Sequence, residues 1–144
     1  MDPGTPNFLL IAAAAIDLLA ALLHLGCIAF GAPWYRFFGA GERMAELAMA
    51  GSRYPTLISC AIAGVLTLWA AYALSAAGVI PRLPLLRLGL CAITALFLLR
   101  GIAGIPLAFR VTAQTPAFWW WSSAICLAIG LIHLGGLLQV WPRL

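Results

Sequence analysis

Four long apolar runs dominate this chain and restrict how it can fold. They cover residues 8–30, 55–79, 84–109 and 117–140. Each is long enough to cross about 30 Å of hydrocarbon, for which a helix needs about 20 apolar residues. Unpaired backbone groups find no partner in lipid, and the runs lack the period-two alternation of barrel strands. The sequence therefore predicts an all-α, integral membrane four-helix bundle that forms a single domain over residues 1–144.

The composition agrees with a membrane environment. Hydrophobic residues make up 65% of the chain and charged residues 8%, whereas soluble domains contain about 45–50% apolar and about 25% charged residues. A soluble domain of this length could not bury so much apolar surface. The eight basic residues are scattered, mostly near the ends of the apolar runs, and form no nucleic-acid-binding face. The lipid bilayer is the predicted partner, and nucleic acid is not.

The long connection between the first two spans is predicted to lie along the membrane surface. Residues 34–50 begin with four aromatic side chains and continue with charged and apolar residues at helical spacing. Such a pattern is typical of a short amphipathic helix in the interface. A surface anchor is the favoured interpretation of this segment, and a lid over a site is the alternative.

The informative residues are polar ones inside the spans, where charged groups are costly and usually face the bundle interior. At about 1.5 Å per residue, Asp17 and His133 fall in the half of the membrane near the termini. Thr67 is expected beside them, and His24 and Arg100 fall in the other half. Asp17 and His133 both lie on stripes of small residues, which allow close helix packing. We therefore expect these two side chains to meet inside the bundle.

Each of these residues admits two interpretations. Asp17 is either a structural group paired with His133 or a Thr hydroxyl, or a proton or cation site. For His24 and His133, the favoured interpretation is a hydrogen bond between helices. Arg100 either extends to the headgroups or clamps an anion, since a guanidinium matches the fork of a carboxylate or phosphate. The four cysteines form no CxxC pair, and the two histidines lie about 15 Å apart in depth. No metal site and no cofactor is predicted.

A resemblance to known proteins is carried by three stretches of the chain. WYRFFGAGERMAELAMAGSRYPT, WAAYALSAAGVIPRLPLLR and LLRGIAGIP resemble a group of small, uncharacterised four-span bacterial membrane proteins. The resemblance covers most of the chain and implies a multi-pass protein of the bacterial inner membrane, without implying an activity. Asp17 is also placed similarly to the first-span carboxylate of small multidrug exporters, although that carboxylate is usually a Glu and this chain is longer.

Three hypotheses for function follow. The first is binding or transport of a small hydrophobic or amphipathic molecule through an interior polar site, and this site would contain Asp17, His24, Thr67, Arg100 and His133. The second is an enzyme embedded in the membrane that acts on a lipid or isoprenoid. The third is a structural or accessory subunit whose polar groups hold helices together. The sequence favours a role without catalysis, with a small hydrophobic ligand as partner, and it allows for a homo-oligomer.

Overall fold

The computed structural model describes residues 5–110 and 115–144, and those residues form helices without any strand. The helices are α1 (Phe8–Phe30), α2 (Ala32–Phe37), α3 (Glu42–Met49), α4 (Tyr54–Ala77), α5 (Leu86–Leu107) and α6 (Pro116–Val140), followed by a 3₁₀ turn at Trp141–Arg143. Four of them, α1, α4, α5 and α6, are long and apolar enough to cross a membrane. The predicted four-helix membrane bundle is therefore confirmed.

The helix ends follow from local sequence. The Asn7 side chain accepts a hydrogen bond from the Leu10 amide and so caps the start of α1. Proline stands in the first turn of α4 and of α6, where a missing amide hydrogen costs nothing. Helix α5 ends at Leu107, directly after Pro106, rather than at the predicted residue 109. The proline ring removes one backbone hydrogen-bond donor and so weakens the helix at this point.

The bundle is built from two closely packed pairs of helices. Helix α1 packs along α4 and helix α5 along α6, and the pairs meet mainly between α1 and α6. Glycine permits the closest approaches: a Cβ on Gly101 would lie 2.9 Å from the Leu127 backbone nitrogen, and one on Gly136 would lie 2.6 Å from the Leu10 side chain. Small residues at such crossings let membrane helices come into contact.

Helix α4 does not place Thr67 beside Asp17 and His133, where the sequence analysis expected it. Gly64 and Thr67 are both exposed on the outside. The buried residues are instead Ala63, Leu66 and Ala70, together with further small residues of the same stripe. The placement of Thr67 in the interior is therefore wrong. Because α4 is apolar on all sides, small residues alone do not mark its inner face.

The connection between α1 and α4 contains two short helices. The amphipathic helix predicted in the second half of residues 34–50 is α3 (Glu42–Met49), and α2 precedes it over the aromatic start. The break falls at Gly39 and Gly41, which have φ values of 71° and 96°, a region that favours glycine. A Cβ on Gly39 would also lie 2.5 Å from the Phe118 ring. The Tyr35 hydroxyl lies 3.1 Å from Ser59 Oγ on α4. The segment is thus attached to the end of the bundle.

Candidate functional site

Asp17 on α1 and His133 on α6 meet in the interior, as predicted. His133 Nε2 lies 3.1 Å from Asp17 Oδ2, and both side chains are 0% exposed. Within the described part of the chain, Asp17 Oδ1 and His133 Nδ1 have no hydrogen-bond partner. Each buried polar group therefore depends on the other, because leaving a buried donor or acceptor unpaired costs about 1–3 kcal/mol.

The ring of Phe97 covers this pair on one side. Phe97 stacks on His133 with ring centroids 5.5 Å apart and an angle of 25° between the ring planes. It also meets the Trp69 ring edge-on at 5.0 Å. Phe97 therefore connects the buried pair on α1 and α6 with α4 and α5.

A cavity of about 400 Å³ lies on the other side of Phe97, toward the α2–α3 end of the bundle. We call it the central cavity. All four spanning helices contribute to its walls, and the apolar part of the lining is formed by Leu23, Ile62, Leu66, Phe97, Ile125 and Ile129. Its volume falls in the range of small-molecule sites, about 300–1,000 Å³.

The cavity lies beyond the buried pair, on the side away from the contact between Leu10 and Gly136. The two helices are close at Leu10 and Gly136 and again at Asp17 and His133, and the cavity then lies between them. Ile125 on its wall is 56% exposed on the outside of the bundle. The rim of the cavity therefore reaches the lipid-facing surface.

Arg100 supplies the fixed positive charge of the central cavity. Its Nη2 donates to Ser122 Oγ at 3.1 Å, and its guanidinium carbon lies 5.0 Å from the centre of the Trp119 ring. Among the described residues, Arg100 Nη1 is buried and has no hydrogen-bond acceptor. Arg100 is therefore held against α6 at the wall of the cavity.

His24 lines the same cavity from α1. Its Nδ1 lies 2.8 Å from the Ala20 carbonyl oxygen. Because a carbonyl can only accept, Nδ1 carries the proton, and Nε2 of the neutral ring is an acceptor. His24 and Arg100 were predicted to share one layer of the membrane, and the structure brings both to the central cavity.

Thr67 contacts neither the buried pair of Asp17 and His133 nor the central cavity with His24 and Arg100. Its hydroxyl donates to the Ala63 carbonyl of its own helix at 2.8 Å, and its side chain is on the outside of α4. Phe97, in contrast, was not identified from the sequence as a site residue, although it stacks on His133 and lines the central cavity. Its position three residues before Arg100 on one helical face could have indicated it.

Other cavities lie nearer the surface. One, of about 500 Å³, is lined by residues around Arg87 and Trp141, and another, of about 510 Å³, by residues around α3. Neither is enclosed by all four spans. A third, of about 350 Å³, adjoins the central cavity and shares Phe38 and Phe118 with it. These two rings separate the central cavity from the surface next to α2.

The described residues include no group of three or more His, Cys, Asp or Glu side chains able to hold a metal ion. The chain matches no protein-family model, and comparison with curated proteins and with solved structures gives no match. The arguments about function therefore rest on the geometry of the site.

Proposed function

We propose that this multi-pass membrane protein binds a small hydrophobic or amphipathic molecule in the central cavity and transports it to or from the bilayer. The observation that carries the proposal is a cavity of about 400 Å³ walled by all four spanning helices. Ligand sites of this kind are mostly apolar, with a few polar groups that fix orientation. Arg100 and His24 are such groups here. The resemblance of the sequence to small four-span bacterial proteins supports the bacterial inner membrane as its location.

Entry from the bilayer is the route that the exposure of the walls supports. Ile62 and Ile125 line the cavity and are 39% and 56% exposed on the outer surface of the bundle. A molecule dissolved in the lipid can therefore reach the cavity by displacing side chains at its rim. It would not have to pass the aromatic rings of Phe38 and Phe118.

In this proposal, Asp17 and His133 support the site instead of contacting the ligand. Both are fully buried, and Phe97 lies between His133 and the cavity. The same burial argues against Asp17 or His133 as the acid or base of the alternative membrane enzyme, because a general acid or base must come within hydrogen-bond reach of its substrate. His24 lines the cavity and is the candidate acid or base in that alternative.

A cavity-filling substitution tests the proposal. Decanoic acid and decanol that each carry a photoreactive diazirine near the chain end are incorporated into nanodiscs with the protein, and the labelled residues are mapped by mass spectrometry. We expect at least one of the two probes to label the walls of the cavity. The Ala20→Phe substitution places a ring in the cavity and should abolish this labelling. Ala12→Phe is the matched control, because Ala12 lies on the same helix and faces outward.

The opposite result is equally clear. If neither probe labels the cavity walls, or if Ala20→Phe and Ala12→Phe reduce labelling equally, the central cavity is not a binding site. The third hypothesis, an accessory subunit whose polar groups hold helices together, would then be favoured.

A further inference from the structure

We infer that the molecule held in the central cavity is a single-chain amphiphile with a carboxylate head, and that Arg100 binds this head. The inference rests on the proposed function and adds the chemical class of the ligand. Three properties of the site carry it: the charge of its lining, the unused hydrogen-bonding capacity of Arg100, and the size of the apolar part.

The first property is an uncompensated positive charge. Arg100 lines the cavity, and no Asp or Glu is among the described lining residues. In the described ranges Arg100 also forms no ion pair; the ion pairs found there are Arg36 with Glu42 and His133 with Asp17. Charge at this depth is costly without a counter-charge. An anion in the cavity would supply it.

The second property is the hydrogen bonding of the guanidinium. An arginine has five N–H donors in a planar fork that matches the two oxygens of a carboxylate. Here the bond to Ser122 satisfies one donor, and Nη1 has no acceptor within the described residues. Ser122 Oγ in turn lies 3.4 Å from the Trp119 carbonyl, so that it donates there while it accepts from Arg100. The guanidinium is therefore positioned before a ligand arrives, which lowers the entropy cost of binding.

Gly104 makes this position possible. A Cβ on Gly104 would lie 2.8 Å from Arg100 Nη1 and 2.0 Å from Ser123 Oγ. A larger residue would thus clash with the guanidinium and with the Ser123 side chain. Ser123 Oγ is also buried and has no partner among the described residues. Two polar groups with unused hydrogen-bonding capacity therefore lie beside the same glycine, next to the wall of the cavity.

The charge balance favours a carboxylate over a phosphate. One carboxylate carries one negative charge and neutralises the one charge of Arg100. A phosphate monoester carries about −1.5 to −2 at neutral pH, and the single charge of Arg100 would leave about a third to a half of that charge uncompensated. The two oxygens of a carboxylate also need fewer donors than the three of a phosphate.

The third property is the size and nature of the remaining lining. Aliphatic side chains and the Phe97 ring extend the cavity from Arg100 toward the buried pair, and the whole volume is about 400 Å³. Such a volume suits a drug-sized molecule and is too small for a lipid with two long acyl chains. A single alkyl chain attached to the carboxylate would lie along Phe97 and Ile129.

The test compares three probes that differ in the head alone: diazirine-bearing decanoic acid, decanol and decylamine, each in nanodiscs with the wild-type protein. We expect the acid to label the cavity walls roughly tenfold or more above the alcohol, the size of effect expected of a charge-assisted hydrogen bond. The amine should label least. Unlabelled decanoate should compete with the acid.

Variants then assign the preference to Arg100. Arg100→Gln should abolish the preference for the acid and retain labelling by the alcohol. The matched control is Arg87→Gln, because Arg87 lies on the same helix over Trp141, outside the central cavity. Arg100→Lys keeps the charge and should keep part of the preference. Each variant is compared after size-exclusion chromatography has selected the folded fraction.

The outcomes separate the two proposals. Equal labelling of the cavity by acid and alcohol, a preference for the amine, or an acid preference that survives Arg100→Gln overturns the carboxylate assignment and leaves the cavity as a binding site. Failure of every probe to label the cavity overturns both. The comparison of probes on the wild-type protein needs no variant, and it decides the matter even if Arg100→Gln does not fold.

Discussion

Removing either partner of the buried pair should destabilise the bundle. Removing both partners should cost less free energy of unfolding than the sum of the two single losses. Asp17→Ala leaves His133 without a partner for either ring nitrogen, and His133→Leu leaves the carboxylate unpaired. Breaking a buried pair in this way costs about 3–5 kcal/mol in soluble proteins. Interhelical hydrogen bonds in a membrane protein have a smaller measured coupling, about 0.6 kcal/mol on average, because the unfolded chain finds other partners there.

For this pair we expect a free-energy cost above the small value for membrane proteins and near the lower part of the range for soluble proteins. Both side chains are 0% exposed and the bond is 3.1 Å long. In the folded bundle, the described residues offer no substitute partner. We therefore expect each single substitution to cost about 2–4 kcal/mol, from the penalties for an unpaired buried group. The double substitution should cost at least about 2 kcal/mol less than the sum.

Equilibrium unfolding in bicelles by steric trapping measures these free energies without denaturing detergent. A second cycle serves as the control, with His24→Leu in place of His133→Leu. His24 bonds to the Ala20 carbonyl of its own helix, and so its loss should add to that of Asp17 within about 0.5 kcal/mol. A coupling between Asp17 and His133 as small as that of the control would refute the argument that the two groups depend on each other.

Three further results are expected. Asn7→Ala should destabilise the bundle by about 1–2 kcal/mol, as measured by steric trapping, because it removes the cap of α1 and the hydrogen bond to Gln139; an unchanged stability would contradict this. Gly101→Ala should cost about 1–3 kcal/mol by forcing α5 and α6 apart, whereas Gly64→Ala meets nothing within 4 Å and should be neutral or slightly stabilising; similar losses for both would be inconsistent with the packing. The hydrogen bond from Arg36 lowers the pKa of Glu42. The contact between α2 and α3 should therefore be complete at pH values above the pKa of a free Glu and weaken as the pH falls through the lowered pKa. A spin label on α3 should become more mobile at low pH, and a decrease in its mobility would contradict this.

The four spans could be predicted from the sequence to within a few residues because their length follows from apolar run length and proline positions. Helix α4 shows where this reasoning ends. Its apolar residues surround the helix, and so hydropathy cannot tell the face of Thr67 from that of Leu66, which is the buried one. The amphipathic helix α3 was predicted from its charged and apolar spacing, whereas the short helix α2 before Gly39 and Gly41 was not.

One part of the candidate site could be predicted from the sequence and the other could not. Asp17 and His133 could be paired in advance, since an interior carboxylate needs a partner and each residue lies on a stripe of small neighbours. The central cavity could not be predicted, because it depends on how the side chains of all four spanning helices pack together. The sequence pattern of a single helix does not contain that packing.

The central claim is that the cavity beside Arg100 holds a ligand, and anomalous scattering from a brominated ligand tests it most directly. Crystals grown in a lipid phase with decanoate brominated at the chain end would locate the bromine by its anomalous signal. A bromine peak is expected inside the cavity near Phe97 and Ile129, with the carboxylate density at Arg100. Bromine peaks confined to the outer surface of the bundle, with the side chains of Leu23 and Ile125 closed across the cavity, would contradict it.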